Sequence, residues 1–136
     1  GNNVLALVNK ARAEARTCGD KPFAAAKPLS RSAMLTLAAL SHAADMARNN
    51  YFSHDGRDGS NPAQRVERAG YRYRATGENI AAGMNTAELA VETWIKSPQH
   101  CANLMSPAFT EMGVAFAIEP RSQLGIYWSQ SFGAPR

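Results

Sequence analysis

Residues 42–71 read HAADMARNNYFSHDGRDGSNPAQRVERAGY, and this stretch contains the strongest signals for the fold. It begins inside an alanine-rich helix. The loop at 51–59 follows and mixes two aromatic residues with glycines, aspartates, an arginine and His54, which is unusual for a surface turn. Asn61 then caps a short helix that begins with Pro62, a favoured first helical position. His54 is therefore expected in a loop between two helices.

Two helices are predicted on the N-terminal side by apolar residues spaced three and four apart. The first runs from Asn3 to about Thr17. The second begins after Ser30 or Ser32, either of which can cap it, and ends near Asn49. Its expected buried stripe consists of Leu37, Leu40, Ala44 and Ala47.

The chain changes from helices to strands on the C-terminal side. Residues 71–85 are expected to be extended or irregular, after which Thr86 caps a helix and Pro98 opens a further helical turn. The segments MGVAFAIE and LGIYWSQSF alternate apolar and polar residues around a turn at 120–123, which predicts a β-hairpin. Helices followed by strands indicate an α+β layered fold, and the length indicates one domain, 1–136.

The composition disfavours two classes of protein. No apolar run approaches the roughly 20 residues needed to cross a bilayer, so a transmembrane protein is not expected. The formal charge of +4 favours anionic surfaces such as lipid headgroups or cell-wall polymers. The basic residues are scattered, with one small cluster at 65–74, and no nucleic-acid-binding motif accompanies them, so nucleic acid is not an expected partner. We expect a monomer.

The two cysteines, Cys18 and Cys101, lie far apart and lack CxxC spacing. In a reducing cytosol they would be two free thiols. In an exported protein they would form one disulfide that closes a loop of roughly eighty residues and stabilises the fold by about 4 kcal/mol in the chain-entropy model. The pattern alone leaves both interpretations open.

Three histidines and one glutamate are the candidates for chemistry. His42 lies within the second helix beside the expected stripe and is interpreted as a hydrogen-bonded structural residue. His54 in its loop and His100 at the start of a helical turn are placed where an imidazole acts as a ligand or a base. Glu78, in GENIA, is a carboxylate at the edge of a buried segment. Two neutral imidazoles and one carboxylate make the three-ligand open site of catalytic zinc, although spacing alone does not bring residues 54, 78 and 100 together.

Several motifs, taken in order, resemble one family. They are the stretch 42–71, GENIAAG at 77–83, WIKSPQH at 94–100, FTEMGVAFA at 109–117 and YWSQSFG at 127–133. Together they are similar to the bacterial branch of the CAP superfamily, the SCP-like extracellular domain. That superfamily includes cysteine-rich secretory proteins, venom antigen-5 proteins and plant pathogenesis-related proteins. The likeness covers nearly the whole chain.

The resemblance implies a three-layer α-β-α sandwich, with a short, mostly antiparallel sheet between helical layers and a cleft on one face. It also implies a secreted or cell-surface protein, extracellular or periplasmic. Such a location favours the Cys18–Cys101 disulfide and an export signal outside this sequence.

The superfamily cleft carries two histidines and two glutamates, which in some members hold a divalent metal such as zinc. His54, Glu78 and His100 match three of these positions. The fourth departs from the pattern, because Ser97 stands where the second glutamate follows the helix tryptophan in animal members. Glu92 is instead spaced to pair with a lysine one turn later. A site for zinc or another divalent cation would therefore consist of the three matched residues with a water or a serine hydroxyl.

Three interpretations of the function follow. The positive charge, the missing glutamate and the absence of an activated serine or cysteine nucleophile favour a non-catalytic binding module for a lipid, a glycan or a protein. The alternative is a metal-dependent hydrolase or peptidase, in which a metal on His54 and His100 activates water and Glu78 is the general base. In the third, the same residues are a structural hydrogen-bonded network.

Overall fold

The computed structural model describes residues 2–136. Along the chain, its helices and strands are α1 (Asn2–Arg12), β1 (Arg16–Cys18), β2 (Lys21–Phe23), β3 (Ser30–Arg31), α2 (Ala33–Asn49), α3 (Pro62–Arg68), β4 (Tyr73–Ala82), α4 (Ala87–Lys96), α5 (Pro98–Met105), β5 (Glu111–Ile118) and β6 (Ile126–Pro135).

A four-stranded sheet forms the centre of the fold, in the order β3-β5-β6-β4. Strands β5 and β6 pair antiparallel with Val114 opposite Gln130, which confirms the predicted hairpin. Strand β4 pairs antiparallel with the other side of β6 and places Glu78 opposite Ser131. Strand β3 is a short parallel strand beside β5. The sheet is therefore mostly antiparallel, as the resemblance implied.

Helices cover both faces of this sheet. On one face, α1, α4 and α5 share the main core with the sheet, and Trp94 and Phe132 are fully buried within it. On the other face, α2 packs against the sheet and α3 packs against α2 through smaller clusters. The approach of α2 is close, because a Cβ at Gly113 of β5 would lie 2.1 Å from the backbone nitrogen of Thr36. These layers confirm the α-β-α sandwich.

The buried face of α2 differs from the predicted stripe. The helix begins after Ser32, whose side chain accepts a hydrogen bond from the Leu35 amide, as expected. Leu37 and Leu40, however, are 59% and 46% exposed, so their predicted burial is wrong. The buried residues are Leu35, Ala38, Ala39, His42, Ala43, Met46 and Ala47. Small side chains face the sheet because they let the helix backbone lie close to β5.

The segment after α1 contains a hairpin in place of the predicted helix end and loop. Helix α1 ends at Arg12, and β1 and β2 then pair antiparallel. Cys18 of β1 is bonded to Cys101 of α5, with Cα atoms 5.5 Å apart, which confirms the predicted disulfide. The bond ties the hairpin to the helix that carries His100.

Arg12, at the end of α1, also anchors α5. The residue is 1% exposed, and its guanidinium donates hydrogen bonds to four backbone carbonyls. These belong to Lys27 and Leu104 at 2.8 Å, Ser106 at 2.9 Å and Phe109 at 3.4 Å. Two of the four lie at the C-terminal end of α5, where the helix dipole favours a cation. Burial lowers the pKa of Arg12, and nothing in the sequence pattern predicted its role.

Candidate functional site

Glu78 of β4 is the centre of the candidate site. Its side chain is 4% exposed. Oε1 accepts a hydrogen bond from Nδ1 of His54 at 2.8 Å, and Oε2 accepts one from Nη2 of Arg65 at 2.8 Å. Because an ionised carboxylate only accepts hydrogen bonds, Nδ1 of His54 carries the proton. Each oxygen of the carboxylate therefore has its own charged or polar donor.

Arg65 of α3 holds the His54 loop as well as the carboxylate. Its Nη2 also donates to the His54 backbone carbonyl at 2.6 Å, and its Nη1 donates to the Ser60 carbonyl at 2.9 Å. The side chain is 6% exposed, so Arg65 does not belong to the surface cluster at 65–74 predicted above. No local sequence pattern marks Arg65 as buried, because its environment depends on how α3 packs beside β4.

His54 connects the buried carboxylate to the solvent. Its side chain is 50% exposed, while its Nδ1 contacts Glu78. The hydrogen bond to Glu78 raises the pKa of His54 above its ordinary value, and partial burial opposes that rise. The network therefore favours a protonated imidazole whose other nitrogen is free to donate to a ligand.

His42 of α2 is a buried neighbour of the same carboxylate. It is 1% exposed, its Nε2 donates to the Ser53 carbonyl at 2.7 Å, and its Nε2 lies 4.0 Å from Oε1 of Glu78. Burial lowers the pKa of His42, although the Glu78 charge opposes this. The neutral ring leaves Nδ1 as a buried acceptor, which has no hydrogen-bond partner among the described residues. The prediction of a hydrogen-bonded structural histidine is confirmed.

His100 lies in the first turn of α5 and is linked to β4 through two asparagines. Asn79 donates from its side chain to the His100 carbonyl, and Asn103 donates to the Glu78 carbonyl, both at 3.1 Å. Burial lowers the pKa of His100, and the nearby imidazole of His54 lowers it further. The structure thus brings the His54 loop and the His100 turn of α5 next to the part of β4 that carries Glu78. The two asparagines are additional members of the network that the sequence pattern did not predict.

The residues present do not fit a divalent metal. Both oxygens of Glu78 already accept hydrogen bonds, and one donor is a guanidinium, which repels a second cation. Ser97, in the fourth position, is the residue between α4 and α5 and makes no side-chain capping bond. Glu92 pairs with Lys96 at 2.7 Å on the surface, as predicted. Within residues 2–136, no three histidine, cysteine or acidic side chains are grouped so as to hold a metal. Zinc binding stays a prediction that this geometry does not support.

A groove of about 490 Å³ lies between α2, the loop at 56–60 and α3. Its charged lining residues are Arg48, Arg57, Arg65, Arg68, Asp45 and Asp58. Asp58 pairs with Arg68 at 2.8 Å, and Asp45 accepts a hydrogen bond from Asn49 at 2.7 Å, so both acidic groups are engaged. Arg48 is exposed and has no ion-pair partner in the described part of the chain. The groove therefore has an excess of positive charge.

The fold and the order of the motifs agree with one family model. The model described as the cysteine-rich secretory protein family, CAP, matches residues 5–132. The chain belongs to the CAP family. This membership confirms the resemblance on which the site residues were predicted.

Two curated relatives from Bacillus subtilis are similar over part of their length. The uncharacterized protein YkwD is 34% identical over 106 residues, which are 78% of this chain and 39% of YkwD. The uncharacterized membrane protein YlbC is 36% identical over 76 residues, which are 56% of this chain and 22% of YlbC. This CAP chain therefore spans well under half the length of the relatives it matches.

Solved structures of other proteins have the same fold. An extracellular protein containing a SCP domain from Bacillus anthracis superposes with a TM-score of 0.79 and 26% identity, over 97% of this chain and 39% of that one. An outer surface protein from Borrelia burgdorferi superposes with a TM-score of 0.75 and 18% identity, over 99% of this chain and 89% of that one. These neighbours are described as extracellular or outer-surface proteins. In the range that the structure describes, no helix is both long and apolar enough to span a membrane.

Proposed function

We propose that this chain is an exported, non-catalytic binding module whose ligand carries phosphate or carboxylate groups, on a lipid headgroup or on a cell-wall glycan. The observation that carries the proposal is the groove of about 490 Å³ with arginines from α2, the following loop and α3. Arg48, Arg57 and Arg68 are exposed; Arg68 pairs with Asp58 and Arg57 donates to Asn49, whereas Arg48 has no ion-pair partner among the described residues. Guanidinium groups bind phosphate and carboxylate oxygens through paired hydrogen bonds.

The state of Glu78 supports binding over hydrolysis. A general base needs a carboxylate that is free to take a proton from water. Here both oxygens accept hydrogen bonds, and the partner of one is the cation of Arg65. This arrangement leaves each carboxylate oxygen paired with a donor of the chain rather than directed at a substrate. His54 is then a half-exposed donor beside Glu78, at the position of the cleft that the family resemblance implies, which suits recognition of a polar group.

The test is binding to two anionic surfaces that differ in chemistry. One is vesicles containing phosphatidylglycerol, and the other is purified cell-wall material stripped of lipid. Because each arginine near an anionic surface contributes about 1 kcal/mol, the double variant Arg48→Gln/Arg57→Gln should bind about thirtyfold more weakly. The matched control, Arg31→Gln/Arg121→Gln, removes the same charge from exposed positions outside the groove. Equal losses in both variants, or no binding to either surface, would contradict the proposal.

The hydrolase alternative retains one favourable observation, which is that Glu78 orients the imidazole of His54. A histidine positioned in this way is able to act as a base without a metal. Hydrolysis of peptide and ester substrates by the wild type, lost in His54→Ala with the fold intact, would establish this alternative. Absence of turnover, together with binding that depends on the groove, would favour the module.

A further inference from the structure

The carboxylate of Glu78 is already neutralised by a positive charge built into the chain. Arg65 lies 2.8 Å from Oε2, and both side chains are almost fully buried, at 6% and 4% exposure. His54 donates to the other oxygen at the same distance. A metal ion bound to Glu78 would therefore have to share its oxygens with a guanidinium and an imidazole, or displace one of them.

Arg65 cannot move aside without further losses. The same guanidinium donates to the His54 carbonyl at 2.6 Å and to the Ser60 carbonyl at 2.9 Å, with a further contact from Nη1 to the Ser60 hydroxyl at 3.3 Å. These bonds fix both ends of the loop that carries His54. The cation is therefore a fixed part of the site, and it acts on the imidazole only through the Glu78 carboxylate and the backbone of the loop.

We propose that Arg65 takes the place of a metal ion in this cleft: it is the permanent counter-ion of Glu78, and its charge excludes zinc from the group of His54, Glu78 and His100. Removal of the guanidinium would leave Oε2 of Glu78 without its charged donor, while Oε1 still contacts the imidazole of His54. Carboxylate and imidazole are both ligands that zinc accepts. This inference concerns the cleft and is independent of what the arginine-lined groove binds.

The test compares zinc binding by the wild type and by Arg65→Gln, using calorimetric titration and thermal unfolding near pH 7.5. Glutamine keeps a donor for the loop carbonyls but carries no charge. We expect the variant to bind one zinc ion at least about tenfold more tightly than the wild type and to unfold at a higher temperature when zinc is present. The double variant Arg65→Gln/His54→Ala should lose the gain. Arg68→Gln is the matched control, because it removes the same charge from an exposed position on the same helix.

Two results would overturn the proposal. One is zinc binding by the wild type that His54→Ala and His100→Ala each abolish, since a metal then coexists with Arg65. The other is a folded Arg65→Gln protein with no gain in zinc affinity over Arg68→Gln. If Arg65→Gln is unfolded alone, its circular dichroism is measured with added zinc: recovery of the folded spectrum supports the proposal, and failure to recover it counts against it. Arg65→Lys, which keeps a cation at the position, should exclude zinc like the wild type.

Discussion

Replacing Glu78 with glutamine tests whether the buried network stabilises the fold. The substitution keeps the shape of the side chain but removes its charge, so the guanidinium of Arg65 is left buried without a counter-ion. Removal of one partner from a buried ion pair costs about 3–5 kcal/mol. Glutamine retains one acceptor oxygen for Arg65, so we expect a loss near the lower end, about 3 kcal/mol. For a chain of 136 residues this corresponds to a fall in Tm of about 10 °C.

The informative comparison is with His54→Ala, which removes the other partner of the same carboxylate. The imidazole is 50% exposed, so water replaces its hydrogen bond, and the loss should be about 1 kcal/mol or less. Urea unfolding followed by circular dichroism measures both variants, and Asp55→Asn serves as a control on an exposed loop residue. The reasoning would be refuted if Glu78→Gln were as mild as His54→Ala. In that case the carboxylate would be solvated, and Arg65 would not need it as a counter-ion.

Three further predictions concern the framework and the histidines. The double variant Cys18→Ala/Cys101→Ala should lose about 4 kcal/mol of unfolding free energy, because the bond closes a long loop; an unchanged urea midpoint would exclude this contribution. Arg12→Met should lose about 3 kcal/mol or more in the same assay, because four carbonyls lose their donor, and a loss below about 1 kcal/mol would show that water reaches them. In an NMR titration, the pKa of His54 should lie above 6.5 and that of His100 below it. His54 therefore contributes stability that is present below its unfolded-state pKa and lost as pH rises through its folded-state pKa. The contribution of His100 is instead lost as pH falls. The reverse order of the two pKa values would contradict the network.

Local signals in the sequence predicted most of the helices, because they depend on residues close together in the chain. Ser32, Asn61 and Thr86 each accept a hydrogen bond from a backbone amide in the first turn of their helix, as their side chains predict. The side of α2 that is buried was not predictable in this way. Leu37 and Leu40 lie on the exposed side and most of the alanines lie with Leu35 on the other, and the close approach to Gly113 makes that alanine-rich side the buried one.

Sequence motifs predicted the site residues that belong to them. Residues that reach the site only through long-range packing were not predictable. The resemblance brought His54, Glu78 and His100 into one group, and two of them are in direct contact. The role of Arg65 depends on how α3 lies against β4, which no local pattern reports. An arginine in a basic cluster is exposed in most proteins, so composition pointed to the wrong environment for this residue.

Arg65 also determines which substitutions are able to separate the functions of the groove and the cleft. Its side chain forms part of the groove wall and, through the same guanidinium, bonds to Glu78 and to the loop that carries His54. A change at Arg65 therefore alters the charge of the groove, the orientation of His54 and the stability of the fold at once. Arg48 and Arg57 line the groove without contacting Glu78, and His54 contacts Glu78 without lining the groove. Binding that depends on the first pair and not on His54 would assign the ligand to the groove, whereas the opposite dependence would assign it to the cleft.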